Sequence, residues 1–270
     1  VNAVLGSPAS HVYTIQNDDP KPTIGFNASS LTQDESTTLT NILVQLTPVS
    51  GVEATVDYQI IAGTATPNDD FTTATGTLIF PPGTTDQYIP LNTKEDNLFE
   101  GNYPEPESVF IQLSTPLESI LDQSIFIYRI LDNESTPTLK FSSPSSFGNE
   151  NTTASLTAIL SGPSAFTSSA DYSVTGGTAA QSSDYDLPLP GTVTFLPGET
   201  LKQFTIPIVD DLTSEPPETL EVSLANVSGA MLGIPNPHTY TIHDNDGVPT
   251  IFFNNPSSSG SENNNATIPV

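Results

Sequence analysis

Between Pro207 and Leu224 the chain reads Ile208-Val209-Asp210-Asp211-Leu212-Thr213-Ser214-Glu215-Pro216-Pro217-Glu218, which places four carboxylates and two prolines within nine residues. Proline removes a backbone donor and locks φ, so no helix forms there. An ordinary turn has no use for four negative charges. Carboxylates at this density need a counter-charge, and their oxygens suit hard cations, above all Ca2+, which takes about six to eight oxygen ligands.

Composition restricts the alternatives. The 270 residues include 31 acidic and 5 basic side chains, a formal net charge of −26. Such a chain repels the phosphates of nucleic acid and the anionic face of a membrane, which excludes both as partners. It has no cysteine, hence no disulfide framework, thiolate zinc site or cysteine nucleophile. His11, His238 and His243 stand apart from other histidines, so no transition-metal site is expected. No apolar run approaches membrane-spanning length. With 25 prolines and 17 glycines, the chain reads as many short strands joined by turns.

The acids belong to a repeat. Tyr13-Thr14-Ile15-Gln16-Asn17-Asp18-Asp19, followed by Pro22-Thr23-Ile24-Gly25-Phe26, recurs at Tyr128 to Glu134 with Pro137 to Phe141, and at Tyr240 to Asp246 with Pro249 to Phe253. The spacing from Pro22 to Pro137 is 115 positions and from Pro137 to Pro249 is 112, a domain length rather than a solenoid period. The expected organisation is the last strand of a preceding repeat (1–19), two whole repeats (20–134 and 135–247) and the opening of a further one (248–270). With no starting methionine and an end in mid-motif, the chain reads as a piece of a longer array.

Landmarks recur in order within each repeat. A glutamate stands nine residues after the opening phenylalanine, at Glu35, Glu150 and Glu262. Alternating strands follow, with Ile42, Val44 and Leu46 in one repeat and Leu156, Ala158 and Leu160 in the other. Asp57-Tyr58 leads to Gly63-Thr64-Ala65, as Asp171-Tyr172 leads to Gly177-Thr178-Ala179, and Asp70-Phe71 and Asp184-Tyr185 lie seven positions beyond each glycine. Strands ending at Pro82-Gly83 and Pro197-Gly198 come next, then the acidic loop, with Glu95, Asp96, Glu100 and Glu107 matching Asp210, Asp211, Glu215 and Glu218. The aromatic residues are expected in the core and the two glycines in turns. About seven period-two strands in this length predict an all-β fold of tandem seven-stranded, immunoglobulin-like Greek-key sandwiches.

In a sandwich, the loops carrying these acids share one end of the body. Convergence of six or seven carboxylates without counter-charge is unfavourable, since two like charges about 4 Å apart repel by about 1 kcal/mol even in bulk water. Bound Ca2+ reverses that sign, and so many carboxylates predict two or more ions per site. Carboxylate pairs also serve glycoside hydrolysis. Recurrence in every repeat fits an ion site better than a specialised active centre, and there is no nucleophile elbow, phosphate loop or Ser/His/Asp arrangement. The chain is therefore not expected to be an enzyme.

The ordered series of Asp-Tyr, Gly-Thr-Ala, Asp-Tyr or Asp-Phe, Pro-Gly, Ile-x-Asp-Asp-x-x-x-Glu-x-x-Glu and a closing Asp-Asn-Asp resembles the Calx-beta domain over essentially the whole chain. The family is known from the regulatory domains of sodium–calcium exchangers and from tandem bacterial surface proteins. The resemblance implies calcium ligands at Glu150, Asp184, Asp210, Asp211, Glu215, Glu218, Asp244 and Asp246 in the second whole repeat. In the first it implies Glu35, Asp70, Glu95, Asp96, Glu100, Glu107, Asp132 and Glu134. Two departures are expected to perturb the first site: Glu95 stands where the second repeat has Asp210, and an insertion containing Asn102-Tyr103-Pro104 precedes Glu107. The functional expectation is a calcium-binding structural or adhesion module of an extracellular or cell-surface array, with neighbouring repeats as partners. The alternative is a glycan- or protein-binding adhesive array, or an inert spacer. Asn-x-Ser/Thr sequons at Asn27, Asn133, Asn151 and Asn226 fit an extracellular setting.

Overall fold

A computed structural model describes residues 2–4, 6–101, 105–186 and 190–262, so the inserted Asn102-Tyr103-Pro104 lies outside the described residues. The chain divides into two compact units. Every described element is a strand, and no described helix is long and apolar enough to cross a membrane.

The first unit holds β1 (Thr23–Phe26), β2 (Ser30–Asp34), β3 (Leu39–Thr47), β4 (Ala54–Ala62), β5 (Ala74–Phe80), β6 (Asp86–Asn92), β7 (Glu107–Leu117), β8 (Ile120–Leu121) and β9 (Ile125–Leu131). They form one sheet in the order β6-β3-β1-β8 and another in the order β2-β9-β7-β4-β5. The second unit holds β10 (Thr138–Phe141), β11 (Ser145–Asn149), β12 (Ala154–Leu160), β13 (Ser168–Gly177), β14 (Gly191–Phe195), β15 (Leu201–Ile206), β16 (Glu218–Ser228), β17 (Met231–Leu232) and β18 (His238–His243). Its sheets, β15-β12-β10-β17 and β11-β18-β16-β13-β14, repeat the same topology. None of the described residues before Thr23 or after His243 is in a strand.

Nine strands replace the expected seven in each unit for two reasons. The opening strand breaks and serves both sheets: β1 runs antiparallel to β3, and after Asn27–Ser29 the chain crosses so that β2 runs parallel to β9. A two-residue strand also pairs with β1, and its counterpart with β10. A strand that changes sheets in this way closes the corner of a sandwich.

Period-two alternation sends Ile42, Val44 and Leu46, and in the second unit Leu156, Ala158 and Leu160, into the two cores. Phe80 and Phe195 end equivalent strands fully buried, each such side chain contributing about 1.5–3 kcal/mol by burial. Phe71 and Tyr185 are core residues, while Tyr58 and Tyr172 are half-buried against the cores. Gly177 has φ +115°, as a turn glycine should. Gly63 has a different requirement, because a Cβ there would stand 2.4 Å from Ser108 Oγ.

The repeated Asp-Tyr aspartates serve the fold and not the acidic end. The register of β4 on β7 shifts between Thr55 and Asp57, and that of β13 on β16 between Ser169 and Asp171. Opposite them Thr115 and Asn226 take φ of 44° and 49°. Asp171 accepts hydrogen bonds from Thr192 Oγ1 at 2.8 Å and Asn226 Nδ2 at 3.0 Å. Asp57 accepts from Thr77 Oγ1 at 2.6 Å and from Thr115 Oγ1. These bonds hold both carboxyls below the usual range, led by Asn226 at Asp171 and by Thr115 at Asp57. They tie the left-handed residue of each irregular strand to its neighbour.

Candidate metal centre

In the second unit the acids come from five strand ends and loops. Glu150 follows β11, and its backbone N–H donates to His243 O at 3.0 Å. Asp184 sits in a tight turn where its N–H donates to Ala180 O at 3.0 Å and Ala180 N donates back to Asp184 Oδ2 at 2.5 Å. Val209 N donates to Asp184 O at 3.0 Å, which fastens this turn to the segment entering the acidic loop. Residues 209–217 form no strand, consistent with Pro216 and Pro217 lacking donors. Glu218 opens β16, and Asp244 and Asp246 follow β18.

These side chains gather as two groups, Glu150 with Asp244 and Asp246, and Asp184 with Glu215 and Glu218, each with carboxylate oxygens within 4.8 Å of one another. Glu150, Asp184, Glu215, Glu218 and Asp244 line one narrow cleft with Val209, Pro216 and Ile242. In the first unit, Glu35 stands with Glu95, and Asp70 with Glu107, within the same distance. Glu35 and Glu150 are only 4% and 6% exposed, unusual for a carboxylate.

The electrostatics record the crowding. Burial, followed by a hydrogen bond to Asp184 and the charges of Asp184 and Glu215, pushes the Glu218 carboxyl up to about 7. Burial, then the charges of Asp184, Asp211 and Asp244, raises Glu215. Glu150 is raised, chiefly by burial. Asp244 is lowered because the N–H of Asp246 donates to its Oδ1 at 2.7 Å and that of Glu215 to its Oδ2 at 2.9 Å. Asp246 Oδ2 is buried and accepts no hydrogen bond. A buried carboxylate oxygen without a donor costs free energy unless a cation compensates it. An all-oxygen, multi-carboxylate donor set of this kind fits Ca2+.

Four of the sixteen expected ligands, Asp96, Asp132, Asp210 and Asp211, stand in no carboxylate group. Asp210 Oδ1 accepts from Asn245 Nδ2 at 3.0 Å, and Asp211 Oδ1 accepts from Thr213 N at 2.6 Å. Asp132 is buried and Asp96 exposed. At the two departures in the first repeat, Glu95, one methylene longer than its counterpart Asp210, reaches Glu35, and Glu107 stands with Asp70 despite the insertion before it. Two polar residues had escaped the reading of the sequence. Asp34 accepts from Ser36 Oγ at 2.5 Å and Asn133 Nδ2 at 3.2 Å, and Asn245 bridges toward Asp210. Asp34 left no repeat signal because Asn149 occupies its place in the second unit. The histidines serve elsewhere: His238 is buried between Ser146 Oγ and Ser143 O, both at 2.8 Å, and the His243 ring meets Phe147 edge-on.

Two sandwiches of one topology, each gathering carboxylates at its strand ends, define a tandem β-sandwich protein with clustered acids. The chain belongs to the Calx-beta domain family, whose model matches residues 17–127 and 132–246. Ca2+ is the ion of this family, and the acidic clusters suit it. Sodium/calcium exchanger 1 of Rattus norvegicus is 36% identical over 110 residues, 34% of this chain and 11% of that protein. Extracellular matrix protein 3 of Lytechinus variegatus is 27% identical over 266 residues, 92% of this chain and 8% of that protein. The chain thus spans only a small part of these relatives' length. Among solved structures, the crystal structure of CBD12 from CALX1.2 is 22% identical with a TM-score of 0.40, covering 79% of this chain and 83% of that one.

Proposed function

We propose that this chain is a non-catalytic calcium-binding module of a longer extracellular or cell-surface tandem-repeat protein, in which Ca2+ stiffens the array. Its repeats span 20–134 and 135–247, with parts of neighbouring repeats at 1–19 and 248–270. The observation that carries this reading is the second unit's cleft, where five carboxylates converge beside a buried Asp246 oxygen without a donor. Glu150, Asp244 and Asp246 would hold one ion, and Asp184, Glu215 and Glu218 another. In the first repeat the corresponding holders are Glu35, Glu95 and Glu134, and Asp70, Glu100 and Glu107. Asp210, Asp211, Asp96 and Asp132 are the remaining candidate ligands, outside these groups. The bound ion supplies positive charge that turns mutual repulsion into shared coordination. The chain's own part is to hold the donors in place, through the Asp184 turn, the prolines of the loop and the ends of β11, β16 and β18. The extracellular matrix protein and the Danio rerio adhesion G-protein coupled receptor V1 among its relatives favour a surface setting.

The test is calorimetric. Titration with Ca2+ should show saturable binding and a higher melting temperature, with a much weaker response to Mg2+. A melting curve unchanged from micromolar to millimolar Ca2+ would refute the proposal. A glycan and peptide panel, assayed with and without Ca2+, separates an adhesive array from a spacer.

A further inference from the structure

The loop between β12 and β13 and the loop between β3 and β4 are built alike. Ser164 O accepts from Gly198 N at 2.9 Å, and Ser164 Oγ from Phe166 N at 3.0 Å. Ser50 has the same role in the first unit, its O accepting from Gly83 N at 3.0 Å and its Oγ from Val52 N at 3.1 Å. Val49, Gly51 and Val52 therefore correspond to Pro163, Ala165 and Phe166.

The second of these loops is covered. Asn97–Gly101 belongs to the second compact unit. Phe99 N donates to Pro163 O at 3.1 Å, Ala165 N donates to Phe99 O at 2.9 Å, and the Phe99 ring meets the Phe166 ring edge-on at 6.2 Å. The first unit presents the same groups uncovered. Among the described residues, no hydrogen bond reaches Val49 O or leaves Gly51 N. Val49 and Val52, each 56% exposed, line a cleft of about 560 Å3 together with Pro20 and Pro22. Lys21, paired with Glu118 at 3.4 Å, places one of the chain's five basic side chains in its wall.

We infer that this cleft of the first unit seats the acidic-loop segment of a preceding repeat, an extended acidic peptide with one aromatic side chain, as residues 163–166 seat Asn97–Gly101. The inference rests on the tandem-array part of the proposed function and not on calcium. A free carbonyl and a free N–H two residues apart on one loop pair with both backbone groups of a single residue in an extended chain, which fixes position whatever the sequence. Selectivity comes from the side chains. Val52 offers an apolar face to an aromatic ring, and Lys21 favours acids beside it, as Glu100 stands beside Phe99.

The probe is a synthetic peptide with the sequence of residues 95–101, titrated into the full chain while backbone amide resonances are followed, once in chelator and once in Ca2+. The Gly51 and Val52 amides should shift saturably, and the Gly51 N–H should gain protection from exchange. The Ala165 amide should stay in place, because it already donates to Phe99 O. A peptide carrying Phe99→Ala should bind about tenfold more weakly, the loss expected for one buried aromatic ring. Val52→Phe in the chain, which reproduces Phe166, should tighten binding of the parent peptide. Gly51 and Val52 resonances that stay unmoved into the millimolar range, or equal binding of the two peptides, overturn the inference. Peptide binding in chelator by a chain that takes up no Ca2+ supports the inference and fails the calcium reading alone.

Discussion

Glu218→Gln should change the second unit's stability in opposite directions with and without Ca2+. Glu218 opens β16 with its carboxylate within 4.8 Å of Asp184, and its pKa stands at about 7. At that distance the repulsion between Glu218 and Asp184 is about 1 kcal/mol in a water-like medium, the appropriate choice for a cleft open to solvent. Glutamine keeps the shape and removes the charge. Without calcium, at a pH above about 7 where Glu218 is ionised, it should therefore raise the melting temperature, by about 4 °C for a unit of this size. With calcium the same change removes a ligand. An ion present at about 100 times its dissociation constant stabilises the folded state by about 2.7 kcal/mol, or roughly 10 °C here, and Glu218→Gln should forfeit more than half of that. Differential scanning calorimetry in chelator and in excess Ca2+ reads both signs, with the first unit as an internal reference. A lower ion-free melting temperature, or a calcium shift equal to the parent's, would refute the reasoning.

Two further outcomes follow from the same geometry. Since Glu218 is raised from 4.5 to about 7, the folded ion-free chain holds more protons than the unfolded one between those values. The stability that Glu218 contributes is therefore fully present below the lower value and is lost as pH rises through the upper one. Melting scans from pH 5 to 8 in chelator should show this decline, and excess Ca2+ should remove it. In the fold itself, a Cβ at Gly191 would stand 2.1 Å from Tyr172 Cζ, and the Tyr172 ring stacks on Phe204 at 4.0 Å. Gly191→Ala should then cost about 1–3 kcal/mol by overpacking, while Gly162→Ala, with nothing within 4 Å, should leave the denaturant midpoint nearly unchanged.

Much of the architecture was legible before any coordinates, because it depends on local pattern. Alternation along Ile42-Val44-Leu46 and Leu156-Ala158-Leu160 requires strands with one buried face, and acids recurring in one order require a shared end. The aromatic residues beside Asp70 and Asp184 had only one economical place, the core. The broken opening strand was not legible. Its two halves, Thr23–Phe26 and Ser30–Asp34, pair with different sheets, and the turn residues Asn27 and Ser29 between them mark a break without saying which sheet receives each half.

Sequence by itself carried the expectation that carboxylates meet at one end of each sandwich and that a cation would offset their repulsion, since charge and spacing are properties of the chain. Only the tertiary structure decided which carboxylates come within reach of one another. Both Glu95 and its counterpart Asp210 accept from an asparagine amide, yet only Glu95 comes within reach of the early glutamate, because one methylene sets how far its oxygens extend. The repeated Asp57 and Asp171 look like ligands by type, yet their strands place them against Thr115 and Asn226, where they hold the irregular register of a sheet. Residue identity sets what a side chain can bind, and the fold sets which partner reaches it first.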